Sequence, residues 1–321
     1  MIAIFGSEDV EQVVYVKEAL AKQGYDAPII DFSSGLSLNF QIDNCKEIHF
    51  NYHGMDFCQS SVIWRCTKFL YRRFGDTEEW ADEYIKQFFR KESYLNFISL
   101  FSSCMHNDPK LDFLANRKSL QLFNAKKCGF VIPRTIVSNS LKDIHNWMQD
   151  QNSFITKAIG EPYIPIVKSE GVVQDFIMTS LVDLEYLQDN LERNVEPFPV
   201  LIQERINKKY EYRCVYVNGE FFSFRIDPFQ HPVMHIDYRV GGMMVDYMPC
   251  KLPQQVEDKI RSYSEMVGLF SGCYDLIEDV NGQFVFLEVN PEGIWGLHDE
   301  IMDGNISKAF ARQLIKLQSS L

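Results

Sequence analysis

None of the eight cysteines (Cys45, Cys58, Cys66, Cys104, Cys128, Cys214, Cys250 and Cys273) falls at a C-x-x-C or other zinc spacing, so the thiols are read as reduced, with no disulfide framework and no chemistry assigned to them. No apolar run approaches the ~20 residues that span a membrane. The short run Ile2-Ala3-Ile4-Phe5 lacks the charged start and long core of a signal peptide, and the expected location is the cytoplasm. Positive charge is scarce as well. Lys and Arg number 32 against 44 Asp and Glu, a net charge of −12, whereas nucleic acid or an anionic membrane as the main partner calls for a basic field. Any phosphate site must therefore be local. A G-x-S-x-G elbow and a Walker phosphate loop are both missing. His231 and His235 stand four apart, but Pro232 opposes a helix between them and no H-E-x-x-H pattern surrounds them, so they are read as loop residues. No internal repeat or low-complexity linker interrupts the chain.

What is present is a globular sequence of 321 residues, 46% of them hydrophobic, long enough for two or three lobes. A strand at 2–5, an amphipathic helix over about 8–23 and, past Gly24, a strand at 27–31 make a βαβ opening, which points to an α/β first domain. A strand at 61–65 continues it. Over 77–104 the aromatics Trp80, Tyr84, Phe88, Phe89, Tyr94 and Phe97 recur at helical spacing and are read as core. Asn107-Asp108-Pro109 breaks the chain before a helix at 116–128 that Gly129 ends. Short strands and helices then mix, with Lys157 at the end of a strand over 153–157. Asn-Gly dipeptides at 218–219 and 281–282 mark two hairpins with a helix over 254–267 between them. The fold class expected is α/β with α+β lobes.

The second hairpin carries chemistry. A two-residue turn at Asn281-Gly282 pairs Val280 with Gln283 and so sets Asp275 opposite Glu288, with Asn290, Phe284 and Phe286 on the same face. Facing carboxylates repel unless a cation lies between them. Two carboxylates and an amide oxygen are hard donors that suit Mg²⁺, an ion that keeps further positions for water and phosphate. A solvated edge hairpin with ordinary surface acids is the other reading. Lys118 and Lys157, each unremarkable alone, would hold a triphosphate as point charges if they converged on one cleft. Glu211 and Arg213, two apart on a strand, share a face, where the acid could meet a sugar hydroxyl and the guanidinium a phosphate; a cross-strand ion pair is the alternative. The stretch 203–206, Q-E-R-I, ends an apolar run and could form a hinge whose backbone reads a nucleobase.

In this order the residues resemble the ATP-grasp superfamily of carboxylate-amine ligases. N-R-K-S-L-Q-L-F-N-A-K-K-C-G-F-V-I-P-R-T (116–135) looks like the family's helix-turn-strand entry and F-I-T-K (154–157) like its second nucleotide lysine. L-I-Q-E-R-I (201–206), E-Y-R-C-V-Y-V-N-G (211–219) and F-L-E-V-N-P (286–291) look like the hinge, the ribose-phosphate strands and the metal strand. The resemblance implies three parts: a pre-ATP-grasp α/β domain at 1–115, a lid lobe at 116–203 and a metal and phosphate lobe at 204–321. It implies that Lys118 and Lys157 bind phosphate, that Glu204 and Ile206 bind adenine and that Glu211 binds ribose. By the same resemblance Asp275, Glu288 and Asn290 would hold Mg²⁺, and Arg213 would touch the γ-phosphate of ATP.

Within the superfamily, V-I-W-R (62–65), D-Y-R (237–239) and F-L-E-V-N-P-E-G-I-W (286–295) are similar to the microviridin-type or graspetide ligases, including the grasp-with-spasm maturases. Tyr238 stands where relatives often carry tryptophan, and the loop after Lys157 keeps one glycine, Gly160, before Pro162. That likeness implies transfer of the γ-phosphoryl group to an Asp or Glu side chain of a precursor peptide, followed by attack of a Ser/Thr hydroxyl or Lys amine of the same peptide. Arg213 and Arg239 would steady the acyl phosphate, since a guanidinium fits both carboxylate and phosphate. The partners implied are a precursor with a leader and an acidic core, and a second copy of the chain. A ligase for small molecules or protein tails, similar to glutathione synthetase, and a non-catalytic ATP-binding scaffold are the alternatives.

Overall fold

A computed structural model of the chain describes residues 1–31, 39–40, 48–58, 60–66, 100–101, 104–148, 153–160, 163–168, 171–176, 178–183, 185, 187–189, 193 and 198–320. The helix expected over 77–104 falls, for 77–99, outside the described residues, as do Cys45 and Pro162.

The uniformly apolar run at the start forms β1 (Ile2–Phe5), buried along its whole length, as strands in parallel sheets are. The helix expected over 8–23 is the shorter α1 (Glu11–Ala21), because the Ser7 hydroxyl accepts from Asp9 N at 3.3 Å and Val10 N donates to Ser7 O at 3.1 Å, closing a turn ahead of it. The strand expected at 27–31 narrows to β2 (Ile29–Ile30). Strands β3 (Asn39–Phe40), β4 (His49–Tyr52) and β5 (Met55–Cys58) make an antiparallel sheet. Its turn is His53-Gly54, both with positive φ (49° and 81°), so no Asn-Gly or Asp-Gly dipeptide announces it. Next come β6 (Val62–Arg65) and β7 (Met105–His106), which complete a parallel sheet of order β2–β1–β6–β7.

Asp108-Pro109 opens α2 (Pro109–Ala115), with Asp108 Oδ1 capping Lys110 N at 2.8 Å and proline in the first helical position, where its missing N–H costs nothing. The helix expected at 116–128 is α3 (Lys118–Lys127). It stops at Gly129 (φ 79°), where Phe130 N bonds Ala125 O and Gly129 N bonds Lys126 O, both at 3.0 Å, the paired closure that favours glycine. A four-stranded antiparallel sheet follows, built from β8 (Thr135–Ser138), β9 (Phe154–Lys157), β12 (Ser180–Leu181) and β13 (Val200–Glu204) in the order β12–β9–β13–β8. Helix α4 (Leu141–Met148) covers it through Ile144 and Met148, and β10 (Tyr163–Lys168) pairs with β11 (Gly171–Phe176) as a separate hairpin.

The five-stranded sheet, β14 (Lys208–Val217), β15 (Glu220–Ile226), β16 (Met248–Cys250), β17 (Ser271–Asp279) and β18 (Phe284–Asn290), runs in the order β16–β15–β14–β17–β18. Helices α5 (Gln254–Val267), α6 (Gly296–Ile301) and α7 (Asn305–Ser319) complete the fold. Alternation along β14 sorts its two faces. Tyr212, Cys214 and Tyr216 face a core shared with Leu276, Phe286, α3 and α5. Val215 and Val217 on the other face join the core of α1, β1 and α7. Further along that same face come Arg213 and Glu211, polar yet buried, and there the apolar layer gives way to a cleft.

Candidate active site

The first Asn-Gly hairpin turns as expected: Val217 pairs with Glu220, and Asn218 and Gly219 both have positive φ (41° and 100°). The second does not. Asp279 N donates to Gln283 O at 3.0 Å, so Val280, Asn281 and Gly282 form a three-residue loop and Val280 does not pair with Gln283. The cause is the Asp279 carboxylate, which accepts from Asn281 N at 2.9 Å and Gln283 N at 2.8 Å and so organises a side-chain-to-backbone turn. The ladder is displaced by one residue, then reset by a bulge at Leu287, between the pairs Leu276↔Phe286 and Asp275↔Glu288. Two offsets cancel, and Asp275 faces Glu288. The bulge also corrects the expectation that Phe284 and Phe286 share the acids' face. Phe286 turns away and stacks on Tyr263 at 5.5 Å, while Leu287 and Ile277 accompany the acids in the cleft.

Cations meet both carboxylates. Arg213, directly opposite Asp275 in the β14–β17 ladder, donates from Nη1 to both carboxylate oxygens at 2.9 Å, and its Nη2 donates to Ile294 O at 3.2 Å. Glu288 has Lys118 Nζ at 3.6 Å and Arg239 Nη1 at 3.7 Å. Lys118 also donates to Ala158 O at 2.9 Å, just past β9, tying α3, the four-stranded antiparallel sheet and the five-stranded sheet together. Burial pushes the Glu288 carboxyl up, but Lys157, Lys118, Arg239 and Arg213 outweigh that and hold it at about 2. Asp275 goes the other way: burial raises it, and Arg213 only partly offsets the rise. Lys157 is lowered to about 8 by burial, against the opposing pull of Glu288.

Lys157, Glu204, Ile206, Glu211, Arg239, Asp275 and Glu288 line one cleft, flanked on its apolar side by Pro133, Ile155, Ile277 and Leu287, the mix of apolar wall and convergent polar groups that marks small-molecule sites. Lys118 enters through Glu288, Arg213 through Asp275, and Asn290 through a contact of its Nδ2 with Asp275 Oδ2 at 3.5 Å. Every residue singled out from the sequence is thus in or against one cleft. Glu204 anchors its mouth: Oε1 accepts from Arg134 N at 2.9 Å, and Glu204 N donates to Arg134 O at 3.0 Å. Glu211 is raised by burial to about 7 despite Lys208 at 2.6 Å.

Two contributors were not foreseen. Asp237 grips Arg239 with both oxygens, Nε to Oδ1 at 2.8 Å and Nη2 to Oδ2 at 2.6 Å, and accepts from Thr179 N at 3.3 Å; the only signal for it was its place in the D-Y-R triplet. Lys208 had none, because strict alternation puts it on the face away from Glu211, and an irregularity between Lys208 and Tyr210 turns it inward. With both included, Lys118, Lys157, Lys208, Arg213 and Arg239 stand among Glu204, Glu211, Asp237, Asp275 and Glu288, five cations to five acids.

Among the described residues no group of three or more His, Cys, Asp or Glu gathers to cage a metal ion. The donor set here is two carboxylates and an amide, all oxygen, which fits Mg²⁺ completed by phosphate oxygens and water.

No protein-family model and no curated protein matches the chain. Solved structures do. A RiPP-associated ATP-grasp ligase of Chryseobacterium gregarium, in complex with ADP and a leader and core peptide, is 21% identical, with a TM-score of 0.81 over 98% of this chain and 96% of its own. The macrocyclase MdnC of Microcystis aeruginosa, bound with precursor peptide MdnA, is 23% identical, with a TM-score of 0.76 over 98% of this chain and 100% of its own. The ATP-grasp ligase PsnB, complexed with a phosphomimetic variant of a minimal precursor, Mg and ADP, is 16% identical, with a TM-score of 0.74 over 98% of both chains. The chain has the mixed α/β fold of the ATP-grasp ligases, as the resemblance implied.

Proposed function

We propose that the protein is an ATP-dependent, ADP-forming ligase that closes ester or amide macrocycles between side chains of a ribosomally made precursor peptide. The observation that carries this reading is the buried Asp275–Glu288 pair ringed by Lys118, Lys157, Arg213 and Arg239. Five cations gathered in one cleft of a chain of net charge −12 suit a local polyphosphate site. One matched ligase was solved with ADP and a leader and core peptide and another with a variant of a minimal precursor, Mg and ADP, and that supports the same kinds of ligand here.

In this reading Lys118 and Lys157 hold the phosphates, Glu204 and Ile206 receive adenine and Glu211 the ribose. Mg²⁺ held by Asp275, Glu288 and Asn290 would neutralise charge that builds on the phosphate oxygens. An oxygen of a peptide carboxylate attacks the γ-phosphorus, ADP leaves, and the mixed anhydride so formed is opened by a hydroxyl or amine that expels phosphate. Arg213 and Arg239 orient the carboxylate and the acyl phosphate, and Asp237 fixes the direction of Arg239. Residues 1–115 would form the pre-ATP-grasp domain, 116–203 the lid and 204–321 the metal and phosphate lobe. The assembly implied by the resemblance is a homodimer.

Co-expression with a candidate precursor rich in Thr and acidic residues, followed by mass spectrometry, tests the reading: each ring closed removes one water. Glu288→Ala and Arg213→Ala are expected to lower ADP release by roughly 10²-fold or more. Equal turnover in wild type and both variants would mean a scaffold, and ADP release with no change in precursor mass would mean a small-molecule acceptor.

A further inference from the structure

Between β18 and α6 the chain runs Pro291-Glu292-Gly293-Ile294, and each of these residues is held by another element. Asn107 Nδ2 donates to Pro291 O at 3.1 Å, Arg65 Nη1 reaches Glu292 Oε1 at 2.5 Å, Gln12 Nε2 donates to Gly293 O at 3.0 Å, and Ile294 O accepts from Arg213 Nη2. Asn107 also pins the start of β17, donating to Ser271 O and accepting from Ser271 N, both at 2.9 Å. Arg65, Asn107 and Gln12 are all buried, and all belong to the layer of the parallel sheet: the last residue of β6, the residue after β7 and the second residue of α1.

The loop has no slack. A Cβ at Gly293 would lie 2.4 Å from Cys273 Cβ and Sγ and 3.1 Å from Arg213 Nη2, so a shift of the loop moves the guanidinium. A buried ion pair stabilises a fold little more than apolar side chains of the same volume would. What the Arg65–Glu292 pair supplies is a fixed place for the loop.

We propose that Arg65, supported by Asn107 and Gln12, is a positioning residue for Arg213: the parallel-sheet layer sets, through the 291–294 loop, where the guanidinium that orients the acyl phosphate stands. This rests on the ligase reading, in which Arg213 serves the reacting phosphate.

The test uses the full chain with the paired variant Arg65→Gln/Glu292→Gln, which removes both charges and leaves neither buried alone. ADP release is measured at saturating precursor in the Arg213 and Arg213→Lys backgrounds. The paired variant is expected to lower kcat tenfold or more with the KM for ATP changed less than twofold, and to lower it less than twofold further when Arg213 is already Lys, as coupled sites behave. An equal fall in both backgrounds, or an unchanged kcat, overturns the proposal. A crystal structure of the paired variant reads it apart from activity. Parting of Arg213 Nη2 from Ile294 O supports it, and retention of that bond overturns it, even if wild type releases no ADP with any precursor and the ligase reading itself fails.

Discussion

Lys157 loses its proton near pH 8 because burial disfavours the ammonium more than Glu288 stabilises it. In the free enzyme it is charged at neutral pH and discharges as pH rises through about 8, and its attraction for phosphate goes with that charge. The pH profile of kcat/KM for ATP, which reports groups of the free enzyme, is expected to fall above about pH 8. Lys157→Met should lower kcat/KM at neutral pH and remove that inflection. Stability runs the opposite way. The folded pKa lies below the ordinary 10.5, so the unfolded chain binds the extra proton between about 8 and 10.5, and this group's contribution to stability rises with pH across that window. At this scale the sequence was legible where parity on a regular strand decides, as for Glu211 with Arg213. It was silent on Lys208, whose inward turn comes from a backbone irregularity that no residue type marks.

The β17–β18 hairpin shows why elements are harder to read than residues. Asn281-Gly282 signalled a turn correctly, but the competing hydrogen bonds of the Asp279 side chain lengthened the loop, and the bulge at Leu287 restored the pairing that a shorter loop would have given. The register of the acids was therefore right through two departures that cancel, while the face of Phe286 was wrong through one that does not. At Asn218-Gly219 no side chain competes in this way, and the two-residue turn forms. The connection after β18 leaves no room for one added methyl group. Gly293→Ala would press on Cys273 and Arg213 and is expected to cost about 1–3 kcal/mol through overpacking, seen as a lower midpoint in chemical denaturation. Its ADP release should fall further than a stability loss of that size explains, with kcat affected more than the KM for ATP.

Across the whole molecule, sheets and helices meet through side chains that the sequence places far apart. Gln121 of α3 donates to Val289 O at 2.8 Å, Asn107 bonds Ser271 and Pro291, and α7 lies on the same core as α1 and β1. Such long-range docking was beyond reach of the sequence, which fixed local periodicity but not which apolar stripe meets which. Phe310 shows what the docking is worth. It is fully buried, its ring 4.9 Å from both Trp64 and Trp295, and Phe310→Ala is expected to destabilise the fold by about 3–5 kcal/mol, measurable as a lower thermal midpoint. The same contact bears on how the chain is made. Domains usually fold in the order in which the ribosome releases them, yet the apolar side of Ile2, Ile4 and Trp64 is covered by α7, from the far end of the chain. During translation that side lacks part of its cover until residues 305–319 emerge, so the nascent chain is a natural client for a chaperone, and full protection of β1 from protease should arrive only once α7 has been released.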